Sequence, residues 1–360
     1  MRTPAAAVQS PGGGDLAVTG VRGWPLREPS SGRRYTVIRV DTRAGISGWG
    51  ECASPEISEI ARVLTGTPAT AYEVVRRRLA AKPELEAAAN MALLDILGKR
   101  AKAPVYQVLG GPTRNKARAL GRIDGSVESM QRARAAGHRA FLVPAPAPAW
   151  PNSGKAYVLA VRQRMDALRA AAGDDADFAL DGGGLLAPGD ASSVAAELER
   201  FHLLWFDEPC RVANLAAIRK IADESVTPLG FGRTIDEASS FQDLLREDAI
   251  DVLRPSLARN SIAQIRRMAA LAETYYVAVA PYHDGGPVAT AAALHLAASL
   301  PNFFIQQIPL PASDPDRRMR AEIAGASLEA VREGYAALPG GPGLGITVSE
   351  AALEKYKERA

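Results

Sequence analysis

The chain has 360 residues, 47% of them hydrophobic and 23% charged, ordinary values for a soluble globular protein. Forty-three Lys and Arg against 40 Asp and Glu leave a formal charge of +3, too small an excess to point to nucleic acid or an acidic membrane surface. Two cysteines, Cys52 and Cys210, are too few for a disulfide framework, and no apolar run approaches the roughly 18 residues that span a bilayer, so the expected setting is reduced and cytoplasmic.

The N-terminus lacks the apolar core of a signal peptide, and residues 1–16 read as a disordered tail. Residues 17–53 have strand composition: Thr36 to Val40 is a strand, Arg43 to Ile46 a turn, and Gly48 to Cys52 closes a hairpin or three-stranded sheet. Composition then turns helical, most clearly over Glu84 to Arg100, with apolar residues at Ala89, Ala92, Leu93, Ile96 and Leu97, and Pro104 forbidding continuation. A strand near Lys116–Arg122, a helix over Ser126 to Ala136 and a strand from Gly137 to Val143 follow. Pro144 to Pro151 holds four prolines in eight residues and reads as an extended loop.

From Asp181 to Gln307 one pattern repeats six times, an apolar run ending in a polar or turn residue and then a helical segment. The run ends are Asp181, Asp207 with Glu208, Arg233, Ser256, Tyr282 with His283, and Gln307, spaced 26, 26, 23, 26 and 25 residues apart. That is the length of one strand–helix unit, and such a rhythm predicts a parallel sheet closed into a (β/α)-barrel with its strand ends gathered at one site. The glycine runs Gly182–Gly184 and Gly285–Gly286 lack the lysine and helix start of a phosphate loop and read as turns. His138, His202 and His295 sit in regular patterns and read as structural.

Several stretches resemble the enolase superfamily in its mandelate racemase/muconate lactonizing enzyme branch, nearest to sugar-acid (galactonate-type) dehydratase-like proteins. They are GWGEC (48–52), ALLDILGKRAKAPVYQVLGG (92–111), FALDGGG (178–184), WFDEP (205–209), the segment 278–307, and PGLGI (342–346), in family order. The resemblance implies a (β/α)7β TIM-like barrel under an N-terminal α+β capping domain completed by the C-terminal segment. The implied division is 17–115 with about 330–360 as cap and 116–329 as barrel. It also implies a homo-oligomer, a small carboxylate or sugar acid as ligand, and Mg²⁺ holding an enediolate formed by loss of an α-proton.

The family's three metal ligands fall on Asp181, on Asp207, and on Arg233, a guanidinium that cannot ligate a cation. Its base positions fall on Leu142, Pro144, Ser256, Tyr282 and Gln307. The expectation is a site degenerate at its metal and acid/base positions, with Mg²⁺ implied by the resemblance but opposed by Arg233; the alternative is an active dehydratase or racemase working through a rewired site. Arg233 either bridges Asp181 and Asp207 or swings out to a ligand's carboxylate or phosphate. Tyr282 is either a plug or a phenolic acid whose pKa Arg233 lowers. His283 faces away if Tyr282 faces in, unless a bulge turns it back to serve as base. The candidate catalytic residues are thus Tyr282, His283 and Arg233, with Asp181, Asp207, Glu208, Arg233, Gln307 and Trp49 of the capping strand as binding residues.

Overall fold

A computed structural model describes residues 14–236, 241–311 and 313–358. Strands β1 (Val18–Arg27), β2 (Arg34–Thr42) and β3 (Ser47–Cys52) form an antiparallel sheet. Two short helices, α1 (Ser58–Leu64) and α2 (Tyr72–Arg78), precede the 19-residue α3 (Pro83–Ala101), which lies flat on β3. That close approach requires glycine, because a Cβ on Gly48 or Gly50 would sit 2.0 or 2.1 Å from a carbonyl oxygen of α3. Residues 1–13 lie outside the described region. The tail expectation is corrected for its last three residues: Asp15 and Leu16 accept backbone hydrogen bonds from Ala44 and Ala69, and Leu16 packs against the cap core.

After the short α4 (Val105–Val108), eight parallel strands alternate with seven helices. They are β4 (Lys116–Arg122), α5 (Val127–Ala135), β5 (Ala140–Pro144), α6 (Gly154–Ala172), β6 (Asp177–Asp181), α7 (Pro188–Leu198), β7 (Phe206–Asp207) and α8 (Leu215–Glu224). Then come β8 (Leu229–Phe231), α9 (Gln242–Arg246), β9 (Val252–Leu253), α10 (Ile262–Glu273), β10 (Ala278–Val279), α11 (Pro287–Ser299) and β11 (Gln306–Ile308). Neighbours pair in order from β4 to β10. β11 pairs with β4, and a bridge from Val279 to Phe303 joins β10 to the start of the last strand, closing a (β/α)7β barrel. Helix α12 (Asp314–Ala324) and the hairpin β12 (Val331–Arg332) and β13 (Tyr335–Ala337), which pairs with β4, follow. The final helix, α13 (Glu350–Tyr356), returns to the cap, where Glu354 accepts from the Trp24 indole at 2.5 Å. No helix among the described residues is long and apolar enough to cross a membrane.

Strand alternation organises the barrel interior. Leu120, Leu142, Ala179, Trp205, Val252, Ala280 and Ile305, each within a strand or one residue beyond its bounds, pack with Ala140 as a buried cluster. Gly230 supplies the eighth position, where a Cβ would lie 2.4 Å from the Trp205 indole. Side chains on one face of a strand recur every two residues. The next layer toward the strands' C-terminal ends is therefore Arg122, Pro144, Asp181, Asp207, Gly232, Arg254, Tyr282 and Gln307. The intervening residues, such as Phe141, Phe178, Leu180, Phe206 and Leu253, pack outward under the helices.

Candidate anion-binding site at the barrel mouth

This layer brings together the carboxylates expected from the strand ends, and each is already neutralised. Asp181, 5% exposed, accepts two hydrogen bonds from Arg233, Nη2 to Oδ1 at 2.6 Å and Nη1 to Oδ2 at 3.1 Å. Asp207, fully buried, is gripped by Arg254 through Nε to Oδ1 at 3.0 Å and Nη2 to Oδ2 at 3.4 Å. The Arg254 guanidinium also donates to the Ala280 carbonyl at 2.6 Å and to Gln307 Oε1 at 3.1 Å, and it lies 4.9 Å from the Trp205 ring centre. Bidentate pairs of this kind are the strong form of charge-assisted hydrogen bond.

The expected bridge is thus divided between two arginines. Arg233 reaches Asp207 only through its Nε, at 3.6 Å from Oδ2. Burial draws the Arg233 pKa down, but Asp207, Asp181 and Glu208 outweigh it and hold the guanidinium charged above its ordinary range. Glu208 sits in the left-handed region (φ 45°), which turns its carboxylate beneath the next strand end. There Oε1 accepts from the backbone N–H of Gly232 and Arg233, both at 2.9 Å. Burial and the neighbouring Asp207 raise the Glu208 pKa.

Mg²⁺ does not fit this donor set. Both oxygens of Asp181 and both of Asp207 are engaged by guanidinium groups, and the third ligand position is itself a guanidinium. Among the described residues no group of three or more His, Cys, Asp or Glu could hold a metal ion. Asp181 and Asp207, where the resemblance implies two of the metal ligands, are held instead by Arg233 and Arg254.

Tyr282 faces the cavity over Asp181, its ring centre 5.4 Å from the Arg233 guanidinium. Its pKa is raised, against expectation: burial is the largest cause and Asp284 adds to it, exceeding the lowering by Arg122, Arg233 and Arg254. His283 is corrected as a catalytic candidate. Regular alternation holds, and the imidazole is buried on the far side, with Nε2 2.9 Å from the Thr290 hydroxyl on α11. Burial, with Arg320 and Arg33 nearby, keeps it neutral far below the ordinary histidine range. Trp49 is likewise corrected as a binding residue. Its ring packs 5.9 Å from that of Trp24 in the apolar cluster that runs from the cap into the barrel, and it lines neither cavity of the mouth. Leu142 belongs to the apolar interior layer, and Gln307 lies on the floor of the mouth.

Sequence reasoning missed Arg254, Arg122 and Arg211. Arg254 stands two residues after the inward Val252, and Arg122 two after the inward Leu120, so strand parity carried a signal for both. Arg211, on the loop after β7, had none.

Two cavities of about 520 and 490 Å³ open at the mouth. The larger lies under the capping loop that carries Arg33, over the ends of β11, β4 and β5, and the smaller lies over Asp181, Glu208, Arg233 and Tyr282. Arg122 lines both, its Nη2 3.6 Å from Asp181. A concave, guanidinium-rich mouth flanked by neutralised carboxylates suits a small anion.

A barrel of this connectivity beneath a sheet-and-helix cap, with polar groups converging at the strands' C-terminal ends, defines the enolase-type class. Residues 125–352 match the family model "Enolase C-terminal domain-like", and residues 27–110 match "Mandelate racemase / muconate lactonizing enzyme, N-terminal domain"; the chain belongs to this family. It is 27% identical over 350 residues to D-galactonate dehydratase of Ralstonia pickettii (strain 12J), covering 90% of this chain and 92% of that one. It is 24% identical to D-xylonate dehydratase of Haloferax volcanii over 89% of this chain and 85% of that one. Among solved structures it resembles a mandelate racemase/muconate lactonizing enzyme-like protein from Roseovarius sp. TM1035 (26% identity, TM-score 0.85, 96% of each chain).

Proposed function

We infer that the protein binds a small carboxylate of the sugar-acid class in the arginine-lined mouth, and does so without the divalent ion. The metal-dependent removal of an α-proton is then absent from it. The observation that carries this reading is the paired neutralisation of Asp181 by Arg233 and of Asp207 by Arg254. The names of the relatives support the ligand class. Arg122 and Arg211 line the smaller cavity beside Arg233 and supply the guanidinium edges for a carboxylate. The cap, taken as 17–115 with 330–360, closes over the barrel of 116–329. The reading is tested by calorimetric titration of the metal-free protein with D-galactonate and D-xylonate. Saturable binding unaffected by added Mg²⁺ is expected, and a stoichiometric, tightly held Mg²⁺ or a Mg²⁺-dependent rise in melting temperature would overturn it.

A second reading, an active hydro-lyase on a sugar acid, is favoured by the relatives' names more than the first is. In it Arg233 supplies the positive charge beside the developing enediolate, and Tyr282 as phenolate takes the α-proton and passes it to the departing β-hydroxyl, which leaves as water. It predicts deuterium uptake at the α-carbon of D-galactonate in heavy water, abolished by Arg233→Ala.

A further inference from the structure

The larger cavity is unused by the reading above, which places the ligand's carboxylate in the smaller one. Four arginines line it: Arg33 from the capping loop, Arg122 from the end of β4, Arg132 from α5 and Arg317 from α12. Two aspartates, Asp124 and Asp284, line it with them, while the carboxylates beside Arg122 and Arg317, Asp181 and Asp314, stand outside its lining.

The ion pairs there are loose. Arg33 meets Asp284 at 2.9 Å with both side chains about a third exposed, and Arg132 meets Asp124 at 3.8 Å with both more than 60% exposed. Arg317 pairs with Asp314 on its own helix, an aspartate 81% exposed. Exposed pairs of this kind contribute little and exchange readily with another anion. The contrast is with Arg233 and Arg254, whose partners are buried and fixed.

We propose that the ligand carries a second anionic group, a phosphate monoester, at the end remote from its carboxylate, and that Arg33, Arg132 and Arg317 receive it. The proposal rests on the carboxylate-binding reading and extends it to a phosphorylated sugar acid. Several loosely paired guanidinium forks favour phosphate: a monoester carries about −1.5 to −2 near neutral pH and offers three strong acceptor oxygens, more than a carboxylate's two. Arg122, common to both cavities, lies where a polyol chain would run from one anion to the other.

The test is calorimetric titration of the full chain with D-galactonate, D-galactonate 6-phosphate, galactarate and inorganic phosphate. The 6-phosphate is expected to bind at least tenfold more tightly than either D-galactonate or galactarate, with an advantage that shrinks as salt is raised. Arg132→Gln/Arg317→Gln is expected to bring the 6-phosphate down to the affinity of D-galactonate. If that variant does not fold, Arg33→Gln alone is expected to shrink the advantage at least threefold. Equal binding of D-galactonate and its 6-phosphate overturns the second anion and leaves the carboxylate reading standing. Galactarate matching the 6-phosphate overturns phosphate as its identity, and an advantage that survives the substitutions overturns the location. Failure of every sugar acid to bind removes both readings together.

Discussion

Two arginine-centred networks lie within this fold, one at the seam between cap and barrel and one at the barrel mouth. At the seam, Arg320 of α12 is 1% exposed and donates to Glu28 at 2.6 Å, to Glu329 at 2.9 Å and to the Gly285 carbonyl at 2.8 Å. Beside it Glu51 of β3 accepts from the N–H groups of Gly286, Val288 and Ala289 at the start of α11, fastening the capping sheet to the barrel. At the mouth, Arg254 is as deeply buried as Arg320, but Arg233 keeps 14% of its side chain exposed to a cavity and Arg122 keeps 43%. The same arginine–carboxylate chemistry is a staple where chain covers every side, and a receptive charge where one side is open. Burial, not residue type, separates the two roles.

The largest effects should come from the two closed arginines. Arg254→Ala leaves the fully buried Asp207 with Arg233 Nε at 3.6 Å, on a guanidinium already committed to Asp181, and Arg320→Ala leaves the buried Glu28 with the Ser31 hydroxyl alone beside it, so each should lose about 3 kcal/mol in denaturant unfolding. Should either lose less than about 1 kcal/mol, the seam and the mouth would no longer share a common element. Arg233→Ala should lose only about 1–2 kcal/mol, since Arg122 already stands 3.6 Å from Asp181 and the cavity admits water. Its affinity for D-galactonate should nevertheless fall at least tenfold. Stability and binding thus come apart at Arg233 and not at Arg320.

A pH titration sharpens the comparison further. Burial raises the Glu51 pKa from 4.5 to about 7, against the lowering by its backbone hydrogen bonds and Arg320. The groups around it are Arg320 and Glu329 from the barrel side, Glu28 and Tyr35 from the cap, and His283 and Thr290 at the seam. Between pH 4.5 and 7 the folded state holds more protons at Glu51 than the unfolded state, so this group's contribution is greatest at low pH and is lost as pH rises through about 7. The slope is at most about 1.4 kcal/mol per pH unit. His138 and His295, both lowered by burial to about 4, act in the opposite sense, removing stability as pH falls below 6.5. Melting curves from pH 5 to 8 should therefore show Glu51→Gln shifted most at the alkaline end, where its neutral amide replaces a buried carboxylate. An unchanged pH slope would mean that the helix N-terminus keeps Glu51 ionised throughout.

Much of this was legible in the sequence, and the exceptions are instructive. The repeat spacing marks the barrel because each strand–helix unit must bury one face before the next begins, and Asp181, Asp207 and Arg233 do converge as their positions at run ends imply. Arg254 is hidden in the sequence because the run IDVLRPS ends in the polar Ser256, one pleat beyond the layer to which Val252 and Arg254 belong. The run ends alone therefore offer Arg233 as the partner of Asp207. Trp49 misled for a different reason: its strand borders the barrel, but which neighbour an aromatic covers depends on a ring 25 residues away, Trp24. The raised pKa of Tyr282 was likewise beyond local reading, since it turns on how much of the phenol the neighbouring strand ends bury.

Tyr282→Phe should give the smallest effect and the finest discrimination. No hydrogen bond from the phenol is found among the described residues, and its ring contacts with Arg233 and Arg254, at 5.4 and 5.9 Å, survive in phenylalanine. Stability should change by less than about 0.5 kcal/mol, and sugar-acid affinity by no more than about threefold, within what one modest hydrogen bond supplies. Arg233→Ala removes the cation and Tyr282→Phe only the hydroxyl, so the pair separates electrostatic capture of an anion from proton transfer to it. A Tyr282→Phe variant that binds D-galactonate normally yet loses α-deuterium exchange seen in the parent protein would give the phenol a chemical role and favour the hydro-lyase reading. Unchanged binding with no exchange in either protein would leave the mouth as an anion receptor, with Tyr282 its aromatic wall.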